Sequence, residues 1–209
     1  QIFLKMKKGQ QKKVTKIRTK PSRKQAEEAV KTLIQWAGDN PDREGLLETP
    51  KRVVNAYKEF FGGYESDPEQ VLSKTFDEVE GYDEMVIVRD IAIESHCEHH
   101  MVPFVGIAHI GYIPNKRIVG ISKLARIADV FAKRLQTQET MTAQIADTIN
   151  EVLKPKGVAV VIDAQHQCMT TRGTHKSESS TITSRMLGLF RTNSNTRNEF
   201  MNLINSANN

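Results

Sequence analysis

The chain has 209 residues, 38% of them hydrophobic and 26% charged, a composition typical of a globular protein with its own core. No apolar run approaches the roughly 18 residues that a membrane span needs, and residues 1–4 are too short an apolar stretch for a signal peptide. We therefore expect a cytoplasmic protein, in which thiols beside histidines are more often catalytic or metal-binding than paired in a disulfide.

The net charge of +5 is concentrated at the start of the chain. Residues 1–24 carry ten lysines and arginines and no acid, and the first carboxylate is Glu27. Without this segment, 20 basic and 25 acidic residues remain, which gives a net charge of −5. We predict a basic, disordered tail over residues 1–21. A zinc protein that is not an enzyme and binds RNA through this tail is one alternative to be tested.

Residues 22–82 have the pattern of a small helical subdomain. Ser22 and Gln25 have the spacing of a capping box at the start of a first helix. Thr49 is predicted to cap a second helix, with Pro50 in its first turn.

The period of the apolar residues changes in residues 83–209. Four segments rich in valine and isoleucine are predicted strands: residues 85–93, 102–113, 157–168 and 179–190. Two helices separate the strand pairs: Ser122 is predicted to cap the first, whose apolar face extends to Leu135, and Pro155 stops the second. Asn195 is predicted to cap a final helix. This order of elements indicates an α+β fold with an antiparallel sheet.

The segment 95–100 combines one thiol, one carboxylate and three imidazoles. Cys97 and His100 are three positions apart and would share one face of a helical turn. His166 and Cys168 are two positions apart and would share one face of a predicted strand. Two cysteines and one histidine are a ligand set that zinc accepts, and a free fourth position lowers the pKa of a bound water to about 7.

The remaining histidines divide into proton carriers and structural residues. His99 and His166 are candidates for proton transfer, because imidazole titrates near neutral pH. A structural zinc finger has two short ligand pairs, whereas about 65 residues separate the two halves of this site. His109 lies within an apolar strand, and we assign it a structural role; His96 and His175 remain undecided.

Six motifs follow one another along the chain: Thr49-Pro50-Lys51-Arg52, Ser95-x-Cys97-Glu98-His99-His100, Ser122-Lys123-x-x-Arg126, Gln136-Thr137-Gln138-Glu139, His166-x-Cys168 and Asn195-Thr196-Arg197-x-Glu199-Phe200. In this order they resemble the GTP cyclohydrolase I family over about residues 25–205. The resemblance implies hydrolysis of GTP to 7,8-dihydroneopterin triphosphate and formate, the first step of pteridine and tetrahydrofolate biosynthesis. It also implies water attack at C8 of guanine.

The resemblance also implies roles for individual residues. It implies Zn²⁺ bound by Cys97, His100 and Cys168, and acid–base chemistry by His99 and His166, without deciding which histidine makes which transfer. Glu139 is the implied guanine contact, since a carboxylate can accept hydrogen bonds from both N1–H and the 2-amino group. The implied triphosphate contacts are Ser122, Lys123, Arg126, Arg172 and Arg52.

The family's architecture is the tunnelling fold, an antiparallel sheet with a helix pair on one face, here preceded by the helical subdomain. Its subunits pair their sheets into barrels and form a toroidal decamer with active sites between subunits. A tunnelling-fold relative with other chemistry, such as a nitrile reductase of queuosine synthesis or a pyruvoyl-tetrahydropterin synthase-like enzyme, is the second alternative. Those enzymes lack the Cys-Glu-His-His segment followed by a distant His-x-Cys.

Overall fold

The structure, a computed structural model, describes residues 19–73, 75–76 and 82–206. The chain divides into two compact units, residues 1–57 and 58–209. Most of the predicted tail, residues 1–18, lies outside the described residues. The predicted boundary between residues 82 and 83 stays a prediction.

The first unit is helical in its described part. Its elements are α1 (Arg23–Trp36), a 3₁₀ turn (Glu44–Leu46) and the start of α2 (Thr49–Phe60). The predicted capping box is present: the Ser22 hydroxyl oxygen accepts the backbone N–H of Gln25, and the Gln25 side chain accepts that of Ser22. Thr49 is already the first residue of α2, so its prediction as the cap is wrong by one position. The Arg52 N–H donates to the Glu48 carbonyl at 3.0 Å, and helical bonding therefore begins one residue earlier.

The second unit contains the sheet and the remaining helices. After a 3₁₀ turn (Gly62–Glu65), its elements are α3 (Pro68–Leu72), β1 (Thr75–Phe76), β2 (Val86–Cys97), β3 (Pro103–Ile113), β4 (Ile118–Val119), α4 (Ile121–Ala132), β5 (Leu135–Gln136), α5 (Gln138–Leu153), β6 (Gly157–His166), α6 (Gln167–Thr170), β7 (Thr181–Gly188), α7 (Leu189–Thr192) and α8 (Ser194–Asn205). No helix in the described part of the chain combines the length and the apolar content that crossing a membrane requires.

The central sheet has the strand order β5-β2-β3-β6-β7. Its four long strands pair antiparallel, as predicted, whereas the two residues of β5 pair parallel to β2. Strands β1 and β4 form a separate two-stranded sheet. The α+β class is therefore confirmed, with a mixed sheet rather than a purely antiparallel one.

The two faces of the sheet bury different side chains because successive strand residues point in opposite directions. On one face, Val158, Val160 and Ile162 of β6 belong to the main core, and the apolar residues of α4 and α5 cover them. On the other face, Ala159 and Val161 pack with side chains of α7 and α8. The main core thus lies between the sheet and the helices α4 and α5.

Two predicted helix caps are displaced by two positions. Helix α4 follows Gly120, which has no side chain to form a cap, so Ser122 lies inside the first turn rather than before it. Helix α8 is capped by Asn193, whose side-chain oxygen accepts the N–H of Asn195 at 2.9 Å. Asn195 is therefore a helical residue and not the cap.

Several element boundaries also differ from the predictions. Strand β2 continues to Cys97 instead of ending at residue 93, and β7 ends at Gly188, so that Phe190 lies in α7. Leu135 belongs to β5 and not to the apolar face of α4. The strand predicted over residues 157–168 ends at His166, which pairs with Phe104. The next residue of β3 is Pro103, which has no N–H to donate to a longer β6, and Cys168 therefore lies in α6.

Candidate metal centre

The loop between β2 and β3 carries the segment rich in cysteine and histidine. The Cys97 N–H donates to the Val102 carbonyl at 2.9 Å, and the Met101 N–H donates to the Cys97 carbonyl at 2.8 Å. Met101 has φ 55°, the left-handed conformation that lets the loop close. A third bond, from the Glu98 N–H to the Gln136 carbonyl at 2.9 Å, ties the loop to β5. The loop is therefore held by backbone bonds on two sides.

Three predicted ligands lie together at this loop. The two sulfur atoms of Cys97 and Cys168 and a ring nitrogen of His100 are all within 4.8 Å of one another. Zinc binds sulfur at about 2.3 Å and imidazole nitrogen at about 2.0–2.1 Å, so a small inward movement brings all three atoms onto one ion. Cys97 is buried, Cys168 is half-buried and His100 is exposed, which leaves the group accessible from one side. This donor set and its spacing fit zinc.

The route to this arrangement differs from the one predicted. Cys97 is the last residue of β2 and His100 lies in the following turn, which the bond from the Met101 N–H to the Cys97 carbonyl closes as one isolated helical turn. Cys168 lies in α6, just beyond the end of β6. The ligand group therefore forms where two neighbouring strands end, from a single turn after β2 and a short helix after β6, so only the predicted strand position of Cys168 is wrong.

The sulfur atoms influence each other electrostatically. Burial raises the pKa of the Cys168 thiol, and the nearby sulfur of Cys97 raises it further. A divalent cation bound between the two sulfurs would instead lower the pKa of both thiols, because metal-ligating thiols are deprotonated. Nδ1 of His99 lies 3.6 Å from the Cys97 sulfur, so His99 is adjacent to the candidate ligand group as well.

An arginine contacts the candidate histidine ligand. Nη1 of Arg172 lies 3.1 Å from Nε2 of His100. A guanidinium group has only donors, so Nε2 accepts this hydrogen bond. A neutral imidazole that accepts at Nε2 has its hydrogen on Nδ1, which leaves no lone pair for an ion. Metal binding by His100 therefore requires Arg172 to release this nitrogen.

His166 occupies the end of β6 and has two fixed neighbours. Its ring stacks on Phe104 with centroids 4.6 Å apart and planes 8° apart. Its Nε2 lies 2.8 Å from Oε1 of Gln138. Burial lowers the pKa of His166, and the negative charge of Glu139 opposes this shift. The neutral ring is thus favoured more than in an exposed histidine.

Comparison with known proteins identifies the family. The family model "GTP cyclohydrolase I" matches residues 26–205. The chain belongs to the GTP cyclohydrolase I family. A GTP cyclohydrolase 1 from Maricaulis maris is 59% identical over 91% of this chain and 93% of that protein. A GTP cyclohydrolase 1 from Brucella suis is 59% identical over 91% of this chain and 90% of its own length, and one from Hyphomonas neptunium is 60% identical over 88% and 89%.

One solved structure shows a much weaker likeness. The archaeosine synthase QueF-Like in its apo form matches 50% of this chain and 93% of its own length, with 13% identity and a TM-score of 0.39. A likeness of this strength assigns nothing to this member of the GTP cyclohydrolase I family.

The residues that the family resemblance implies for substrate binding are distributed over several elements. Glu139 is exposed in the first turn of α5, close enough for its charge to act on His166. Ser122, Lys123 and Arg126 lie in the first turns of α4. Among the described residues, no hydrogen bond or ion pair joins these three to the two cysteines or to His100.

Arg52, the last implied triphosphate contact, is an exposed residue of α2 in the first unit. His109 is buried in β3, and its Nδ1 accepts the backbone N–H of Asp90 at 3.2 Å, as fits a structural histidine. His96 is buried against the rings of Phe60 and Phe61, and burial lowers its pKa. Neither histidine belongs to the ligand group found among the described residues.

Two residues at this site were not singled out from the sequence. Phe104 has no motif of its own, and its role depends on the register that pairs it with His166. Gln138 stands in the motif Gln136-Thr137-Gln138-Glu139, but nothing in that motif separates it from Gln136. Both glutamines are buried, at 4% and 1% exposure, so only the bond to His166 distinguishes Gln138.

Proposed function

We propose that this protein is a GTP cyclohydrolase I that hydrolyses GTP to 7,8-dihydroneopterin triphosphate and formate. Membership of the family supports the activity. The observation that carries the proposal is the group of Cys97, His100 and Cys168, whose ligand atoms lie within 4.8 Å of one another. These residues would hold zinc, although two cysteines and one histidine also accept other divalent ions.

The protein's own residues would organise the chemistry around this ion. Zinc, when bound, supplies a Lewis acid that makes water nucleophilic near neutral pH. Cys97 would anchor the ion from the end of β2 and Cys168 from α6, just beyond the end of β6. Cys97 is buried and Cys168 is half-buried, so both side chains are held by their surroundings. Arg172 would leave His100 and move to the triphosphate, a group that arginine binds in a bidentate manner.

His99 and His166 would carry the protons. Opening the guanine imidazole ring at C8, releasing formate, rearranging the ribose and closing the pterin ring each require proton transfers. His99 lies beside the Cys97 sulfur, and burial favours the neutral, proton-accepting form of His166. Two histidines in different surroundings can divide these transfers between them.

Glu139 would select guanine. Its carboxylate can accept hydrogen bonds from N1–H and the 2-amino group of guanine, whereas adenine lacks this pair of donors. Its exposure leaves it available to a ligand, and its charge already acts on His166. Guanine bound there would lie near the proposed proton carrier.

The triphosphate would be bound by a set of basic and hydroxyl side chains. Ser122 and Lys123 lie in the first turn of α4, where the helix dipole favours an anion. The Lys123 N–H donates to the Gly120 carbonyl at 2.8 Å, so Lys123 would bind phosphate through its ammonium group. Arg126 follows them on the same helix. Arg172 and Arg52 complete the proposed set.

Assembly into a toroidal decamer of the tunnelling fold is part of the proposal. A site between subunits would explain why Ser122, Lys123 and Arg126 make no described bond to the cysteine–histidine group: a second copy would contribute them. We further propose that the protein is cytoplasmic and catalyses the first step of pteridine and tetrahydrofolate biosynthesis. Its parts would be a basic tail (1–21), a helical subdomain (22–82) and a catalytic domain (83–209).

The direct test is turnover of GTP by the purified, zinc-loaded protein. Formate and the fluorescent, oxidised neopterin product are expected to appear together, and both are expected to disappear when zinc is removed by a chelator. ATP serves as the control substrate, since it lacks the donors that Glu139 would recognise. Absence of both products from GTP with zinc bound would contradict the proposal.

A further inference from the structure

Gln138 is a buried residue whose side-chain orientation is determined by its neighbours. Its Nε2 lies 3.1 Å from the Ile162 carbonyl, 2.7 Å from the Thr181 carbonyl and 3.1 Å from the Thr183 hydroxyl oxygen. Backbone carbonyls can only accept hydrogen bonds. The end of the amide that faces them must therefore be the NH₂ group, and the oxygen Oε1 must face His166.

The two neighbouring threonines agree with this orientation. The Thr142 hydroxyl donates to the Gln138 backbone carbonyl at 2.7 Å, which uses its single hydrogen. The Thr183 hydroxyl, whose oxygen lies 2.7 Å from that of Thr142, must then donate to it. Thr183 therefore has an oxygen lone pair free to accept from Gln138. The reversed amide would place its oxygen against two carbonyl oxygens in a buried position, which is strongly unfavourable.

The orientation of Gln138 determines which nitrogen of His166 carries the hydrogen. Oε1 of Gln138 can only accept, and it lies 2.8 Å from Nε2 of His166, so Nε2 is the donor. In the neutral ring the lone pair is then on Nδ1. Stacking on Phe104 fixes the plane of the ring as well.

We propose that Gln138 is a positioning residue that holds His166 as the Nε2–H tautomer and directs the lone pair of the ring, on Nδ1, away from Gln138. The inference rests on the proposed role of His166 in GTP hydrolysis and adds to it the nitrogen that carries the lone pair. Gln138 touches no reacting group under this proposal and acts through His166 alone. The NH₂ group of the amide donates to backbone carbonyls of β6 and β7, so the backbone of the sheet determines which tautomer His166 adopts.

The first test is a direct observation of the tautomer in the wild-type protein. The zinc-loaded enzyme is labelled with ¹⁵N in its histidine rings, and the His166 signals are assigned by their loss in His166→Asn. The expected spectrum has a protonated Nε2 and an unprotonated Nδ1 for His166. A neutral ring with the hydrogen on Nδ1 would overturn the proposal.

The second test compares two variants of the same polar network. Gln138→Met keeps the length of the side chain and removes all its hydrogen bonds. We expect kcat to fall about 10- to 100-fold, with zinc content and the KM for GTP nearly unchanged and mixed His166 tautomers in the spectrum. Thr183→Val is the matched control: it removes one acceptor but leaves both carbonyls to orient the amide, so tautomer and kcat should stay close to wild type.

The outcomes separate this inference from the proposed function. If the folded, zinc-loaded Gln138→Met turns over as fast as Thr183→Val, the positioning role is wrong. If Gln138→Met does not fold, the spectrum of the wild-type protein decides on its own. If the wild-type protein makes no formate from GTP, the proposed function fails, while the measured tautomer still tests the effect of Gln138 on His166.

Discussion

The ring of Phe104 lies parallel to the ring of His166, with an interplanar angle of 8° and centroids 4.6 Å apart. The two residues are register partners on β3 and β6. Phe104 is fully buried, so its ring is held by the core beneath it and in turn limits the orientation of the histidine. The position of a proposed proton carrier is thus linked to the packing of the main core.

Replacing Phe104 tests this link. Phe104→Leu is expected to lower the free energy of unfolding by about 1 kcal/mol and to lower kcat as well, since the histidine ring loses its stacking partner. Chemical denaturation and GTP turnover measure the two effects. Phe190→Leu is the control, because Phe190 is equally buried but belongs to the cluster on the other face of the sheet. Equal turnover in the two variants would show that stacking on His166 has no role in catalysis.

Cys168→Ser is expected to lose both bound zinc and turnover, because a neutral hydroxyl replaces a thiolate ligand. Metal content is measured by elemental analysis and turnover by formate release. His175→Asn is the control: His175 is exposed with φ 51°, a conformation that asparagine tolerates, and it lies outside the ligand group. A Cys168→Ser protein with one tightly bound zinc per chain would remove Cys168 from the ligand set.

His166→Ala is expected to keep zinc and to lose most of its turnover, by about 10²-fold or more, because a proton carrier is lost without loss of a ligand. Zinc content and single-turnover formation of formate distinguish the two effects. Turnover close to wild type would mean that His166 does not transfer a proton in the reaction. The turnover of His99→Ala, measured in parallel, shows how the proton transfers are divided between the two histidines.

Glu139→Gln is expected to raise the KM for GTP about tenfold, because the amide replaces one acceptor oxygen by a donor that opposes the guanine N–H groups. Zinc content should not change. Glu151→Gln is the matched control, since Glu151 is an exposed acid at the other end of the same helix α5. If both variants bind GTP as the wild-type protein does, guanine is held by another residue.

Deletion of residues 1–21 tests the alternative that places function in the basic tail. The truncated chain keeps Ser22, which caps α1, and is expected to retain nearly all GTP turnover. The RNA-binding alternative expects instead that the full chain binds RNA in a salt-sensitive manner and that the deletion abolishes this binding. Gel-shift titrations at two salt concentrations, beside the formate assay, separate the two.

The periodicity of the sequence predicted the order of the four long strands and the five long helices, because burial on one face leaves a repeat of two or of about 3.6 residues. The short helices α3, α6 and α7 and the two-residue strands were not predicted. The helix ends were less predictable. Asn193, Ser194 and Asn195 can all cap a helix, and the choice depends on which backbone N–H groups are free. The two-residue strand β5 is too short to leave a periodic pattern, and its parallel pairing with β2 is a tertiary contact.

The candidate ligands could be predicted because sulfur and imidazole are rare and their clustering in sequence was visible. Their geometry could not, since it depends on where β6 ends, and Pro103 on the neighbouring strand contributes to that. Gln138 illustrates the same limit. A glutamine in a sequence suggests a polar surface residue. Only the packing of α5 against β6 and β7 brings the Gln138 amide next to three hydrogen-bond acceptors and to His166.

The backbone bonds that close the loop around Cys97 also bear on how far the shape of the candidate metal site depends on an ion. Classical zinc fingers are unfolded without metal, so for them binding and folding are one event. Here the bonds from Cys97, Glu98 and Met101 form within the polypeptide itself, and the core beneath them is complete. The main chain therefore shapes this loop together with any bound ion, and we expect the circular dichroism spectrum of the protein to survive removal of zinc by a chelator even though turnover is lost.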